Sequence, residues 1–237
     1  EGPTQVDGTL DNGIVAHEYG HGISNRLTGG ANAAGCLFND EQMGEGWSDF
    51  YALAFTAQVG DTADQERAMG TYAAQNTRGI RTFPYTRDMN INTHTFEDIV
   101  NAVATDNSVS PHYVGSVWAE MLWEVYWNLV DKHGYDADIY RGSGGNNMAI
   151  QLVTDGLKLQ GCSPGFIRGR DAILLADQQN SAGANQCEIW KGFAKRGLGV
   201  SAIGGSTNTV GDETEAFDIP VECEGPTDII FKHGFEQ

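Results

Sequence analysis

Basic residues are scarce in this 237-residue chain: 14 lysines and arginines stand against 32 aspartates and glutamates, a formal charge of −18. A nucleic-acid partner would meet repulsion where such proteins present a basic patch, so that class is set aside. Long apolar runs are missing as well. No stretch approaches the roughly 18 apolar residues of a membrane helix, and no basic segment followed by an apolar one opens the chain. The reading is a soluble protein, any export signal already removed; few lysines among many acids is a balance common in secreted proteins. Cysteine is sparse. Cys36, Cys162, Cys187 and Cys223 form no CxxC pair, which argues against a structural zinc site built from them. The even count points to disulfides, against the alternative of free buried thiols, and three connectivities are open. Cys162 and Cys187 bracket a segment that reads as a helix between two loops, so an antiparallel return would pair them and leave Cys36 for Cys223.

Alternating strand patterns are few and no internal repeat is visible, whereas apolar residues recur at spacings of three and four, so the chain reads as mainly α. Helices are expected near 11–26, 42–58, 64–76, 95–105, 112–133, 147–159, 164–179 and 184–195. Between them "LTGGANAAG", "GIRTFPYTRDMNIN" and "GSGGNN" carry the Gly, Pro and Asn content of loops. From Gly197 onward the helical period is lost, and the division expected is a helical lobe over residues 1–202 with a loop-rich tail over 203–237. The helix from His112 carries Val114, Val117, Trp118, Met121, Leu122, Val125 and Leu129, a broad stripe that reads as the central core helix and not as a ligand box.

In "IVAHEYGHGISNR", His17 and His21 stand at i and i+4, which sets both imidazoles on one helix face. That spacing suits two ligands of one tetrahedral zinc. Glu18, beside the first ligand, would flank the metal and could take a proton from zinc-bound water and deliver it to a leaving amine. Alone, this HExxH pattern is short enough to arise by chance. "MGEGWSDFYALAF" adds Glu45 and, four residues later, Asp49. A second helix could then offer the metal a third ligand through Glu45, while Asp49 accepts the ring N–H of His17 from behind.

"HEYGHGISNRLTGG", "CL" and "QMGEGWSD", followed by "RGIRTFPYT", "HYVGSVWAEMLWEVYWNLV", "CSPGFIRGRDAILLAD" and "CEIWKGFAKRGLGVSA", resemble successive blocks of the fungalysin family of secreted metallopeptidases, relatives of thermolysin among the gluzincins. The resemblance runs from Asp11 to about Ala202. It implies the multi-helical, zinc-bearing C-terminal lobe of a thermolysin-type peptidase, a secreted endopeptidase that hydrolyses peptide bonds by Glu-assisted attack of zinc-bound water. It implies one zinc on His17, His21 and Glu45, with Glu18 as base and acid.

The resemblance also gives His112 the position of a hydrogen-bond donor to the tetrahedral oxyanion. Asp106, six residues earlier, becomes the candidate to orient it, and Arg81, with Arg78 as rival, the candidate to grip the substrate carbonyl. His94, His133 and His233 have no ligand partner at i+3 or i+4 and receive no metal role. Family members carry a β-rich lobe before the metal helix, which here begins ten residues into the chain, so that lobe is expected to be missing, cleaved away, or present as a separate N-terminal partner or propeptide of the same precursor. Calcium, usual among thermolysin relatives, finds no matching acidic loop. "TDIIFKHGFEQ" reads as a fraying tail. Rival readings are a gluzincin aminopeptidase, for which no acidic grip on a substrate amine is seen, and a non-catalytic zinc lobe, which would not need Glu18.

Overall fold

A computed structural model describes residues 6–225. Seven α-helices follow in order: α1 Asn12–Leu27, α2 Gly44–Thr56, α3 Thr71–Ala74, α4 Pro111–His133, α5 Gly145–Leu159, α6 Phe166–Ser181 and α7 Gln186–Lys195. No strand forms among the described residues, only isolated bridges, so the fold is mainly α, as the periodicity indicated. "TDIIFKHGFEQ", with His233, lies outside the described residues.

Helix α4 is the axis of the structure. Ser110 caps it by accepting the Tyr113 N–H, Pro111 occupies the first turn, where its missing N–H costs nothing, and Gly134 ends it at φ 77°. Every residue from Val114 to Trp127 is buried, which is why the aromatic stripe is core: Trp118 packs on Trp47 of α2, Phe166 of α6 and Phe193 of α7. Helix α1 begins where the Asp11 carboxylate accepts the N–H groups of Gly13 and Ile14. Its second oxygen accepts those of Tyr72 and Ala73, so one side chain anchors two helices.

Close backbone approach sets the relation of α1, α2 and α4. A Cβ on Gly20 would sit 2.7 Å from Ser48 Cα, one on Gly46 2.3 Å from the Gly115 carbonyl, and one on Gly115 2.4 Å from Glu45 Cβ. Helix α2 is therefore seated closely on α1 at Gly20 and on α4 at Gly115. The loop over residues 84–96 is fastened to α4 by Arg196, which is fully buried. Its guanidinium donates to Glu120 (3.0 Å) and Glu124 (2.9 Å) and to the carbonyls of Thr86, Asn92 and His94.

Three expectations require correction. The segment 64–76 is helical only over Thr71–Ala74. Gly70 stands in the left-handed region at φ 68°, and before it Arg67 pairs its backbone with Tyr85 through two 2.9 Å hydrogen bonds. The disulfides join Cys36 to Cys162 and Cys187 to Cys223. Cys162 precedes the 16 residues of α6, a rise of about 24 Å, and Cys187 lies in the first turn of α7, before the return has brought the chain back. Cys162 instead meets the loop after α1, where Ser163 N donates to Cys36 O (2.7 Å). Residues 95–105 shorten to a 3-10 helix, Phe96–Ala102, started by Asp98 accepting the Thr95 N–H (2.9 Å).

Candidate metal centre

His17 and His21 project from α1 and Glu45 from the first turn of α2 into one open cleft, which Ile14, Glu18, Ile80, Arg81 and His112 also line. The Gly20–Ser48 contact lets the two helices approach closely enough for that convergence. His17 Nε2 lies 3.1 Å from His21 Nε2 and 3.3 Å from Glu45 Oε2, and His21 Nε2 lies 3.3 Å from Glu45 Oε1. A tetrahedral zinc with bonds near 2.05 Å separates its ligand atoms by about 3.3 Å, so the donor set fits that ion. Two imidazole nitrogens this close need a proton or a cation between them. Among the described residues this is the one group of three metal-ligating side chains that closes on itself.

Behind the ligands sits Asp49, with no solvent exposure. Its Oδ1 accepts His17 Nδ1–H at 2.6 Å, which leaves Nε2 to present its lone pair to the cleft. Arg81 donates Nε to Asp49 Oδ2 (2.6 Å) and one Nη to Asp49 Oδ1 (2.9 Å) and Glu45 Oε2 (3.1 Å). Tyr85 adds its hydroxyl to Asp49 Oδ2. Burial works to raise the Asp49 pKa, but the hydrogen bonds from His17 and Arg81 outweigh it and hold the carboxyl below its ordinary value. Tyr85 is pushed well above its ordinary value by burial and by the Asp49 charge. Burial disfavours the His17 cation, yet the Asp49 and Glu45 carboxylates raise its pKa to about 9. Glu45 is likewise drawn well down against burial by His17 and His21. This is the electrostatic signature of a pocket that wants positive charge.

Glu18 is exposed on the cleft side. His112 opens α4, is 62% exposed, and brings Nε2 to 3.5 Å from Glu45 Oε2. The other assignments change. Asp106 lies in a turn whose hydrogen bonds run to Ser108 N (3.0 Å) and Oγ (2.7 Å), while the charged partner of His112 is Glu45. Arg81 is buried and spends its donors on Asp49 and Glu45, where sequence reasoning gave it a substrate carbonyl. Arg78 bonds the Thr82 carbonyl. Tyr85 was missed; it sits in the same "RGIRTFPYT" block as Arg81, four residues on. His94 is buried between the rings of Phe83 and Tyr113, and His133 pairs with Asn185.

The chain is 42% identical over 228 residues to a probable extracellular metalloproteinase 4 of Trichophyton verrucosum, covering 92% of this chain and 34% of that protein. It is 48% identical over 208 residues to the extracellular metalloproteinase MEP of Pyricularia oryzae, covering 84% and 32%. A Trichophyton soudanense extracellular metalloproteinase 4 is 45% identical over 208 residues, 51% of its length. The chain thus spans between a third and a half of the length of these relatives. Residues 2–202 match the fungalysin metallopeptidase (M36) family, and with those blocks, that lobe and that cluster of ligands the chain belongs to it.

Proposed function

We propose that the chain is the zinc-bearing lobe of a secreted metalloendopeptidase. The observation that carries this reading is the closure of His17, His21 and Glu45 at zinc-ligand spacing with Glu18 on the same cleft. Zinc held by these three side chains would supply a Lewis acid that polarises the scissile carbonyl and acidifies water. Glu18 is the general base: its carboxylate takes a proton from the attacking water and passes it to the departing amine nitrogen. His112, at the mouth of the cleft, donates its Nε2–H to the oxygen that gains charge in the transition state.

Asp49 fixes the tautomer and direction of His17, and Arg81 and Tyr85 hold Asp49 and, through Arg81, Glu45. They are positioning residues. Relatives named as extracellular support secretion, as do two disulfides, which persist in oxidising compartments. Leu10, Val15 and Tyr19 on and before α1, with Ile80 beside the cleft, are exposed apolar side chains. Their position favours an N-terminal lobe of the same precursor as the opposite wall, where a peptide is aligned.

The test is Glu18→Gln in the full-length protein. It should keep one zinc per chain and lose peptidase activity by several orders of magnitude. Loss of the metal, or turnover close to wild type, would show that Glu18 is not the base. A zinc-loaded wild type inactive on blocked peptides but active on free amino termini would favour an aminopeptidase.

A further inference from the structure

Arginine is unevenly placed in this acidic chain. Residues 67–87 hold four of the 14 lysines and arginines, Arg67, Arg78, Arg81 and Arg87, and no aspartate or glutamate, although the chain as a whole carries 32. Three of the four are committed to carboxylates of the fold. Arg67 pairs with Asp61 (2.9 Å), Arg81 with Asp49 and Glu45, and Arg87 with Glu124 (2.9 Å) and Asp131 (2.8 Å). Arg78 is the exception: among the described residues no carboxylate lies within ion-pair distance of it. Its exposed side chain donates one hydrogen bond, from Nη2 to the Thr82 carbonyl (3.1 Å), which leaves most of the guanidinium N–H groups to solvent.

The loop that carries Arg78 is fixed in place. Asn76 Oδ1 accepts the N–H groups of Arg78 (2.8 Å) and Gly79 (2.7 Å), which closes an Asx turn. Gly79 follows at φ 74°, pressed so closely on the Met69 carbonyl that no Cβ could stand there, and Ile80 N donates to that carbonyl oxygen (2.9 Å). Residues 76–82 line an open recess of about 550 Å³. Ile80 and Arg81 line the metal cleft as well, so the two hollows adjoin at these residues. Arg78 stands three positions from Arg81, whose guanidinium reaches the ligand Glu45 (3.1 Å). That separation is at most about 10 Å of backbone, which is also the span of about three residues of extended peptide.

We propose that Arg78 binds a carboxylate of the substrate, so that peptides with an aspartate or glutamate about two to four positions from the scissile bond are preferred. The proposal rests on the peptidase reading and adds a substrate class to it. A guanidinium presents paired N–H groups that match both oxygens of a carboxylate, and the loop has no acid of its own to compete for them. Arg81 cannot serve in this way, because it is buried and its donors are spent on Asp49 and Glu45. At a formal charge of −18 the chain as a whole repels an acidic peptide. A fixed arginine beside the cleft therefore decides the register in which such a peptide lies, its carboxylate at Arg78 and its scissile bond at the metal centre. The pair forms on binding and persists in the transition state, so it acts on KM and leaves kcat alone.

The experiment compares blocked peptides of one sequence that carry Glu, Gln or Lys in turn at each position within about four residues of the scissile bond, cleaved by the zinc-loaded full-length protein. At one position Glu should raise kcat/KM about two- to fivefold over Gln, through KM, and the advantage should shrink as salt is added. Arg78→Ala should bring the Glu-to-Gln ratio to about one. Arg78→Glu should reverse it and favour Lys, an inversion that a merely structural role for Arg78 would not produce. Cleavage of all the peptides without charge preference, or a Glu preference that survives Arg78→Ala, overturns the proposal and leaves the peptidase reading intact. If the wild type cleaves none of them, that reading fails, and fluorescence anisotropy of the same peptides, labelled, decides for Arg78. Tighter binding of the Glu peptide, reversed by Arg78→Glu, upholds the carboxylate site; equal binding of all three overturns it.

Discussion

Asp49 and Glu41 stand eight positions apart, both almost wholly removed from solvent, and they have opposite affinities for a proton. Asp49 is met by His17, Arg81 and Tyr85 on both oxygens, and these partners hold its carboxyl low against burial. Glu41 has one backbone N–H for a partner and other carboxylates for neighbours, and burial pushes it up to about 8. Burial costs a charge the same hydration in both places. What differs is whether the fold supplies the compensating charge. In the first region carboxylates and cationic donors close on one another; in the second the charges acting on Glu41 are those of other carboxylates.

Removing the compensation should break the contrast most forcefully. Arg81→Ala leaves Asp49 with His17 and Tyr85 alone, and is expected to cost about 3 kcal/mol in denaturant unfolding, since an ion pair is broken and its other half stays buried. A loss under about 1 kcal/mol would mean that the two remaining donors suffice. Next in size, Asp49→Ala should weaken zinc by about 10–100-fold in a competition assay with a chelating dye, because His17 loses the acceptor that fixes its ring. Unchanged zinc dissociation would remove Asp49 from the energetics of the centre.

The smallest effect concerns Glu41. Its pKa rises from an ordinary 4.5 to about 8 on folding, so between those values the folded state keeps a proton that the unfolded state has released. Stability must therefore fall as pH rises through that window and level off above it. Glu41→Gln should flatten the decline, matching wild type near pH 4.5 and exceeding it near pH 8. Parallel Tm profiles for the two proteins would show that Glu41 ionises freely in the fold.

The legible parts of this molecule are those whose information is local. His17 and His21 share a face because four residues make one turn, and Glu45 and Asp49 repeat that spacing on the next helix. The apolar stripe of α4 announced its burial in the same way. What escaped was closed by tertiary contact. Arg81 reaches Asp49 across 32 positions and Tyr85 across 36, and no spacing rule connects a loop to a helix at that range. The length of α6 governs the cysteine pairing, since Cys187 stands at its far end. In 64–76 the helical pattern was real, but the left-handed turn at Gly70 and the Arg67–Tyr85 pairing overrode it. Glu41 was one acid among 32, because burial is a property of the assembled chain.

The glycine contacts beneath the metal centre bear on how such a site could be moved to another protein. Ligand positions here are referenced to main chain seated on main chain, Gly20 on Ser48 and Gly46 on Gly115. A fixture of that kind has little slack, because it contains no side-chain torsion that could absorb an error. Copying His17, Glu18, His21, Glu45 and Asp49 onto two helices spaced by alanine would displace the ligands by about 1 Å, against the roughly 0.5 Å that a functional constellation tolerates. The portable unit is therefore the seam of α1, α2 and α4, with the five chemical side chains as passengers on it.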